Sequence, residues 1–185
     1  RHEFSDLLRE LLIGLGYQEV LTFTLSNPEK LFTRMNLPPD LLIELKNPRV
    51  QTLTCLRNWL IPSLVEVLSL NVHVSYPQRV FEAGECIMRN ASKVDEVLKL
   101  AAVTCHAEAS FTEARAAVDS LLRNLGLQCE VVERDHGSFL EGRVGSIMIR
   151  EVQAGILGEI HPQVLENWGI QNPAAAFELD AGVLL

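Results

Sequence analysis

An α+β domain, with a mostly antiparallel sheet flanked by helices, is the fold class this sequence predicts. Two segments carry strong helical periodicity, 4–15 and 111–125. The strand-like segments cluster together instead of alternating with helices, which favours an antiparallel or mixed sheet over a doubly wound parallel one. No internal repeat, low-complexity tract or linker interrupts the 185 residues, so 1–185 reads as a single domain with ample length for one core.

The elements follow in order. Phe4, Leu7, Leu8, Leu11, Leu12 and Leu15 fall at helical spacing and form one apolar stripe, with Ile13 outside it. Gly14 and Gly16 then end the helix, Gly16 as a left-handed cap. "QEVLTFTLS" (18–26) is rich in β-branched and aromatic residues and reads as a strand. Ser26 or Asn27 caps a short helix that has Pro28 in its first turn. "LLIEL" (41–45) is strand-like and "KNP" a turn. Ile61, Leu64, Val65 and Leu68 make the apolar face of a helix with Pro62 early, and Pro77 bars any continuation. "VFEAGECIM" (80–88) and "EVLKLAAVTCH" (96–106) are strands around a polar turn at "RNASK". Ser110 and Glu113 form a capping box for the second strong helix, whose face is Phe111, Ala114, Val118, Leu121, Leu122 and Leu125 and which stops at Gly126. "QCEVVE", "GRVGSIMIR" and "QAGILGEI" are strands, the last two forming a hairpin around Glu151 and Val152. "HPQVLENWG" is a short helix and "AAFELD" a final strand.

Composition excludes several classes. The net charge is −8 and the basic residues are scattered, so no basic stripe for nucleic-acid phosphates is visible. No apolar run reaches the length of a membrane helix, and "RHEFSDLLRE" lacks a signal-peptide layout. A start at Arg1 without Met reads as a fragment of a longer chain. Cys55, Cys86, Cys105 and Cys129 are widely spaced with no C-x-x-C, as in a reduced, cytoplasmic protein. Cys105-His106 is no metal pair, because neighbours on a strand face opposite ways. Asn90-Ala91-Ser92 fits a glycosylation sequon but lacks secretory context.

The chemistry turns on Glu82 and Glu85. Three apart on a regular strand, they face opposite sides, and only a bulge at Gly84 would let them converge. The expected arrangement is one solvated glutamate and one meeting an arginine. The sequence has no G-x-S-x-G, H-E-x-x-H, Walker or G-x-G-x-x-G motif. Asp135, His136 and Ser138 are sequence neighbours, which does not make a triad. No catalytic residue and no metal site is assigned. "HGSFLEGR" reads as a loop whose flanking Arg134, with His136 and Arg143, would offer polar contact to an acidic partner or RNA.

Six segments in order carry a resemblance: "LLRELLIGLGYQEVLTFTLSNP", "NPRVQTLTCLRNWLIPSLVEVLSLNVH", "VFEAGECI", "AEASFTEARAAVDSLLRNLG", "HGSFLEGRVGSI" and "AGILGEIHPQVLENWGI". Together they resemble the catalytic-like core of the phenylalanyl-tRNA synthetase beta chain family, over almost the whole chain. The resemblance implies a class II aminoacyl-tRNA synthetase fold and an (αβ)2 assembly in which the alpha chain holds the active site. It makes Arg79, Phe81, Glu82 and Gly84 a vestigial signature strand, with Arg79 three residues before Glu82. It places the third class II signature at "GILGEIHPQVLENWG", where Glu159 and His161 stand in place of the expected nucleotide-binding arginine. The domain would then be catalytically silent.

The resemblance further implies no cofactor in this domain, ATP and Mg in the whole enzyme, an alpha-subunit partner, tRNA in the full complex, and no membrane. The acidic D-x-x-E-E magnesium motif of such beta chains lies before this core. Phe4, Leu7, Leu8, Leu11, Leu12, Ile13 and Leu15 become the expected interface, through which an isolated domain would self-associate. A stand-alone amino-acid-activating enzyme and an RNA-binding paralogue are the alternatives.

Overall fold

A computed structural model describes residues 2–90 and 93–185. The chain opens with α1 (His2–Gly14), and Gly16 follows at φ +86° as the left-handed stop. Two short strands come next, β1 (Gln18–Glu19) and β2 (Leu25–Ser26), then α2 (Pro28–Leu31) and a single 3-10 turn at Thr33–Met35. The Asn27 side chain accepts from Lys30 N–H and caps α2. Further on lie β3 (Ile43–Glu44), β4 (Cys55–Leu56), α3 (Ile61–Leu70), β5 (Gln78–Asn90) and β6 (Lys93–Cys105). The last part comprises α4 (Phe111–Asn124), β7 (Glu130–Glu133), β8 (Phe139–Ile149), β9 (Val152–Ile160), α5 (Pro162–Asn167) and β10 (Ala174–Asp180).

Seven strands form the main sheet in the order β1-β5-β6-β10-β9-β8-β7. Only β1, at the edge, runs parallel to its neighbour; the other pairings are antiparallel. The strands alternate strictly where both faces are covered. Phe81, Leu100, Ala102, Ala175 and Phe177 point to one face, here the back, and pack with Leu8 and Leu12 of α1 and Val118 and Leu121 of α4. Val80, Ala101, Val103, Ala174 and Ala176 point to the front, under Leu64, Val65 and Leu68 of α3 and Val164 and Leu165 of α5. A sheet sandwiched between helices on both faces explains why its central strands read as apolar runs. The α+β class expected from sequence is therefore the observed one.

Some elements differ from expectation. The run 18–26 is paired only at its two ends, and Leu21 and Phe23 between them are 81% and 78% exposed. β-Branched composition made this stretch extended, and backbone bonds tie Val20 to Phe81 and Thr24 to Arg57, but among the described residues no strand pairs with 21–23. The expected strand 41–45 shrinks to β3, in a small sheet of order β2-β4-β3 that includes the unanticipated β4. The β8–β9 hairpin turns on Arg150 and Glu151, both at positive φ, one residue before the expected place. The segment 136–143 is a loop only up to Ser138, since β8 already begins at Phe139. The expected sequon falls on Ala91 and Ser92, outside the described residues.

What ties the small sheet to the large one is a buried ion pair. Arg57 and Glu82 have side chains 2% exposed and meet at 2.8 Å, Nη2 to Oε1. Arg57 Nη1 donates to Thr22 Oγ1, Thr22 donates to Glu82 Oε2, and Arg57 Nε donates to the Glu85 carbonyl. The Arg57 backbone bonds to Thr24 on one side and Ile87 on the other. Gly84 makes room: a Cβ there would lie 2.5 Å from Arg57 Nη2 and 2.7 Å from Glu82 Oε1. The β5–β6 register runs unbroken through Gly84, so no bulge turns Glu82 and Glu85 toward each other. Glu82 is buried against an arginine while Glu85 is exposed.

Removing one partner leaves an uncompensated buried charge. We expect Glu82→Leu to lose about 3–5 kcal/mol in urea denaturation, and Arg57→Met combined with Glu82→Leu to recover most of it. If the double variant is no more stable than the single one, the cost lies in packing and the pair is not the source.

Candidate functional site

The most heavily furnished hollow is a cavity of about 440 Å³ on the front of the sheet. Its floor crosses four strands: Met88 of β5, Val97 and Lys99 of β6, Glu178 and Asp180 of β10, and Gly155 and Ile156 of β9. Phe32, Leu37, Asn58, Trp59, Arg134 and His136 wall it. Even positions of β10 and odd positions of β6 face forward, so the sheet's own alternation delivers Lys99 and Glu178 side by side. Gly155 permits the close β9–β10 approach beneath, since a Cβ there would lie 2.0 Å from the Glu178 carbonyl oxygen.

Glu178 is the central polar group. Its Oε2 accepts from the backbone N–H of Leu60 and Ile61 at 2.7 and 3.2 Å, and its Oε1 accepts from Lys99 Nζ at 2.8 Å. Leu60, the N-cap residue just before α3, makes no side-chain cap bond to that helix. A carboxylate at a helix N-terminus satisfies orphan donors and favours the positive end of the dipole. Burial is the largest single influence on Lys99 and works to lower its pKa, but the neighbouring acidic groups, Glu178 foremost with Asp180 and Cys86, together outweigh it and hold the ammonium above its ordinary value.

His136 sits in the wall with its ring centroid 5.9 Å from that of Trp59 and 5.2 Å from that of Phe139. Its Nδ1 accepts from Ser138 N–H. Burial, helped by the charge of Arg134, pushes its pKa down to about 4, so the ring is neutral at pH 7. Asp135, His136 and Ser138 do not form a relay, because Ser138 Oγ donates to the Met35 carbonyl.

The residues singled out from sequence disperse. Arg79 leaves the back of β5, opposite to Glu82, and both its Nε and Nη2 donate to Glu113 Oε1 of α4. Glu113 also pairs with His106 Nε2 at 2.6 Å, so it serves Arg79 and His106 and does not close a reciprocal capping box; Ser110 Oγ still accepts from Glu113 N–H at 3.4 Å. Phe81 is core and Gly84 adjoins the ion pair. Of the loop trio, Arg134 and His136 line the cavity, whereas Arg143 lies on β8 and bonds Glu159. Glu159 also accepts from Phe111 N–H behind the sheet, and His161 caps α5, so neither stands in the cavity. The carboxylate that does is Glu178, which sequence reading passed over as part of a final strand. On α1, Leu8 and Leu12 are fully buried in the domain's own core, Phe4, Leu11 and Leu15 are half-buried, and Leu7 and Ile13 are exposed. Among the described residues no His, Cys, Asp and Glu cluster is placed to hold a metal, and no helix is long and apolar enough to cross a membrane.

Comparison with known proteins gives consistent results. A family model described as the phenylalanyl tRNA synthetase beta chain CLM domain matches residues 1–181. The chain is 46% identical over 180 residues to the phenylalanine–tRNA ligase beta subunit of Pyrococcus abyssi, covering 96% of this chain and 32% of that relative. It is 37% identical over 185 residues to the subunit of the same name in Thermofilum pendens, covering 98% and 33%. The chain thus spans about a third of the length of the curated relatives it matches. Among solved structures, pyrrolysyl-tRNA synthetase from Desulfitobacterium hafniense superposes with a TM-score of 0.78 at 20% identity, over 98% of this chain and 67% of that one. That likeness establishes a class II synthetase fold.

Two measurements follow from the buried groups. Unfolding frees His136 to titrate at its ordinary value near 6.5, while the folded state resists protonation down to about 4. The unfolded state therefore binds more protons in that window. This contribution to stability is complete above about pH 6.5 and is lost progressively as pH falls toward 4. His136→Phe should flatten that part of the stability–pH profile, and an unchanged slope would place the titration elsewhere. Burial pushes the thiols of Cys55 and Cys105 up to about 11 and Cys86 up to about 12. With iodoacetamide at pH 8, the half-buried Cys129 should react first and the other three only on denaturation, when four thiols should count.

Proposed function

The chain belongs to the phenylalanyl-tRNA synthetase beta chain family, in its CLM domain, and from that premise we propose that it is a non-catalytic core module of the beta subunit. On this reading it pairs with a catalytic alpha subunit, in an (αβ)2 assembly, in the attachment of phenylalanine to tRNA in the cytoplasm. ATP and Mg then belong to the alpha chain's site, and tRNA is a ligand of the whole complex.

One observation carries the silent assignment: Glu178 occupies the middle of the front cavity, bound to Lys99 and to the start of α3. Displacement at a phosphate needs fixed positive charge around the oxygens that gain negative charge. Here Lys99 is spent on Glu178, Asp40 and Asp180 add two more carboxylates that outnumber the remaining lining cation, Arg134, and Arg79 points away behind the sheet. These residues do not suit a nucleotide triphosphate. The stand-alone enzyme is therefore not the favoured reading.

For the pairing surface, exposure supports a narrower set than the full α1 stripe. Leu7 and Ile13 on α1 remain exposed, and so do Leu21 and Phe23 on the extended segment 20–24. Leu21 shares a cleft with Ser5 and Arg9 of α1. Leaving such large apolar side chains in water forgoes roughly 1.5–3 kcal/mol apiece, which a partner would recover.

The isolated chain should show no phenylalanine-dependent ATP–pyrophosphate exchange. Exchange that Arg79→Ala abolishes would overturn the silent assignment. Co-expressed with the alpha subunit, Phe23→Asp should sharply reduce co-purification while leaving the thermal midpoint of the isolated chain unchanged. Undiminished co-purification would remove segment 20–24 from the interface.

A further inference from the structure

The charged side chains lining the front cavity are not equivalent. Lys99 and Glu178 satisfy each other, and Lys99 Nζ also donates to the Asn58 carbonyl. Asp40 Oδ1 accepts from Leu41 N–H, and Asp180 Oδ1 accepts from Gly182 N–H, so each carboxylate is engaged by its own turn. Arg134 differs. It is half-buried and lines the cavity, yet its guanidinium has no hydrogen-bond or ion-pair partner among the described residues. Its nitrogens still reach the solvent of the cavity, and a carboxylate is the partner best suited to replace that water, through charge-assisted and often bidentate bonds.

A second donor stands two residues away. The neutral His136 ring accepts at Nδ1 from Ser138 N–H, which places its proton on Nε2. Beside these donors the walls are apolar and aromatic, from Phe32, Leu37, Trp59 and Ile156. A volume of about 440 Å³ lies within the range of small-molecule sites. The carboxylates of Asp40, Asp180 and Glu178 oppose a polyanion, but leave room for a single negative charge at the Arg134 end.

We infer that the front cavity binds a small monocarboxylate with a planar apolar body, its carboxylate on Arg134 and its body against Trp59 and His136. This site goes beyond the silent assignment and does not depend on it, because it involves no chemistry on the ligand and no partner chain.

The protein has two tryptophans, and they supply probe and control. Trp59 lines the cavity, while Trp168 lies outside it with the Arg34 guanidinium 5.0 Å from its ring centroid. The 185-residue chain is labelled with 5-fluorotryptophan, the Trp59 resonance is assigned with Trp59→Phe, and phenylacetate is titrated. The expected result is a saturable shift of the Trp59 line with Trp168 unmoved. Phenylacetamide, which lacks the charge, should bind about tenfold more weakly, and so should phenylacetate to Arg134→Gln. The thermal midpoint of Arg134→Gln should stay unchanged, because Arg134 makes no structural bond, and Arg134→Lys should retain part of the affinity. No saturable shift up to about 10 mM would overturn the proposal. Equal affinity for phenylacetamide, equal affinity of Arg134→Gln, or equal movement of both tryptophan lines would do so as well. Exchange assays on the isolated chain are unaffected by any of these results, so the two readings fail separately.

Discussion

The buried pair of Arg57 and Glu82 is the constraint on which the arrangement of this domain rests. Three pieces of chain that share no continuous ladder meet at one guanidinium: the extended segment around Thr22, the small sheet through β4, and the long strand β5. Two charges taken out of water are costly, and the cost is offset because each of the three guanidinium nitrogens donates to an oxygen. The same requirement dictates Gly84, since any side chain there would enter the space of the pair. The glycine between the two glutamates is thus explained by a neighbour 27 residues earlier in sequence, and not by a turn or a ligand.

A second consequence of the two-sided sheet is the separation of roles between its faces. The back face is a conventional core, with α1 and α4 laid over alternating apolar positions and the Arg79–Glu113–His106 group at its margin. The front face combines a core under α3 and α5 with the cavity, where the sheet's alternation brings charge inward. A carboxylate among the groups lining that cavity limits what it can hold. Glu178 is well satisfied there, so it behaves as part of the architecture.

Much of the fold was legible because its signals are local. The 3.6-residue spacing in α1, α3 and α4, the caps at Asn27 and Ser110, and the stop at Gly16 each depend on residues within a turn or two. Alternation along β5 was equally clear, and it separated Glu82 from Glu85 correctly. What escaped the sequence was partnership across distance. Arg57 looked like one of several scattered basic residues, and nothing near it in sequence announced its tie to Glu82. Leu21 and Phe23 read as part of a strand, because β propensity reports extended backbone and not the presence of a neighbouring strand. Arg79 was close to Glu82 by count, but strand period 2 sends the two to opposite faces. Glu178 was hidden by its apolar surroundings, and its meaning depends on the bare start of α3 far upstream.

That long reach bears on how the domain assembles. The first turn of α3 obtains its acceptor from a residue 118 positions later in the chain, on β10, the last of the described strands in chain order. During translation, α3 can coil but its exposed N–H groups have only water until β10 emerges. β10 also pairs with both β6 and β9, filling the centre of the sheet order. Until it inserts, the chain holds two half-sheets with open edges, a state vulnerable to pairing with other chains. Vectorial synthesis therefore defers closure of this domain to its C-terminal strand, and truncations that remove even that strand should leave no smaller folded unit behind.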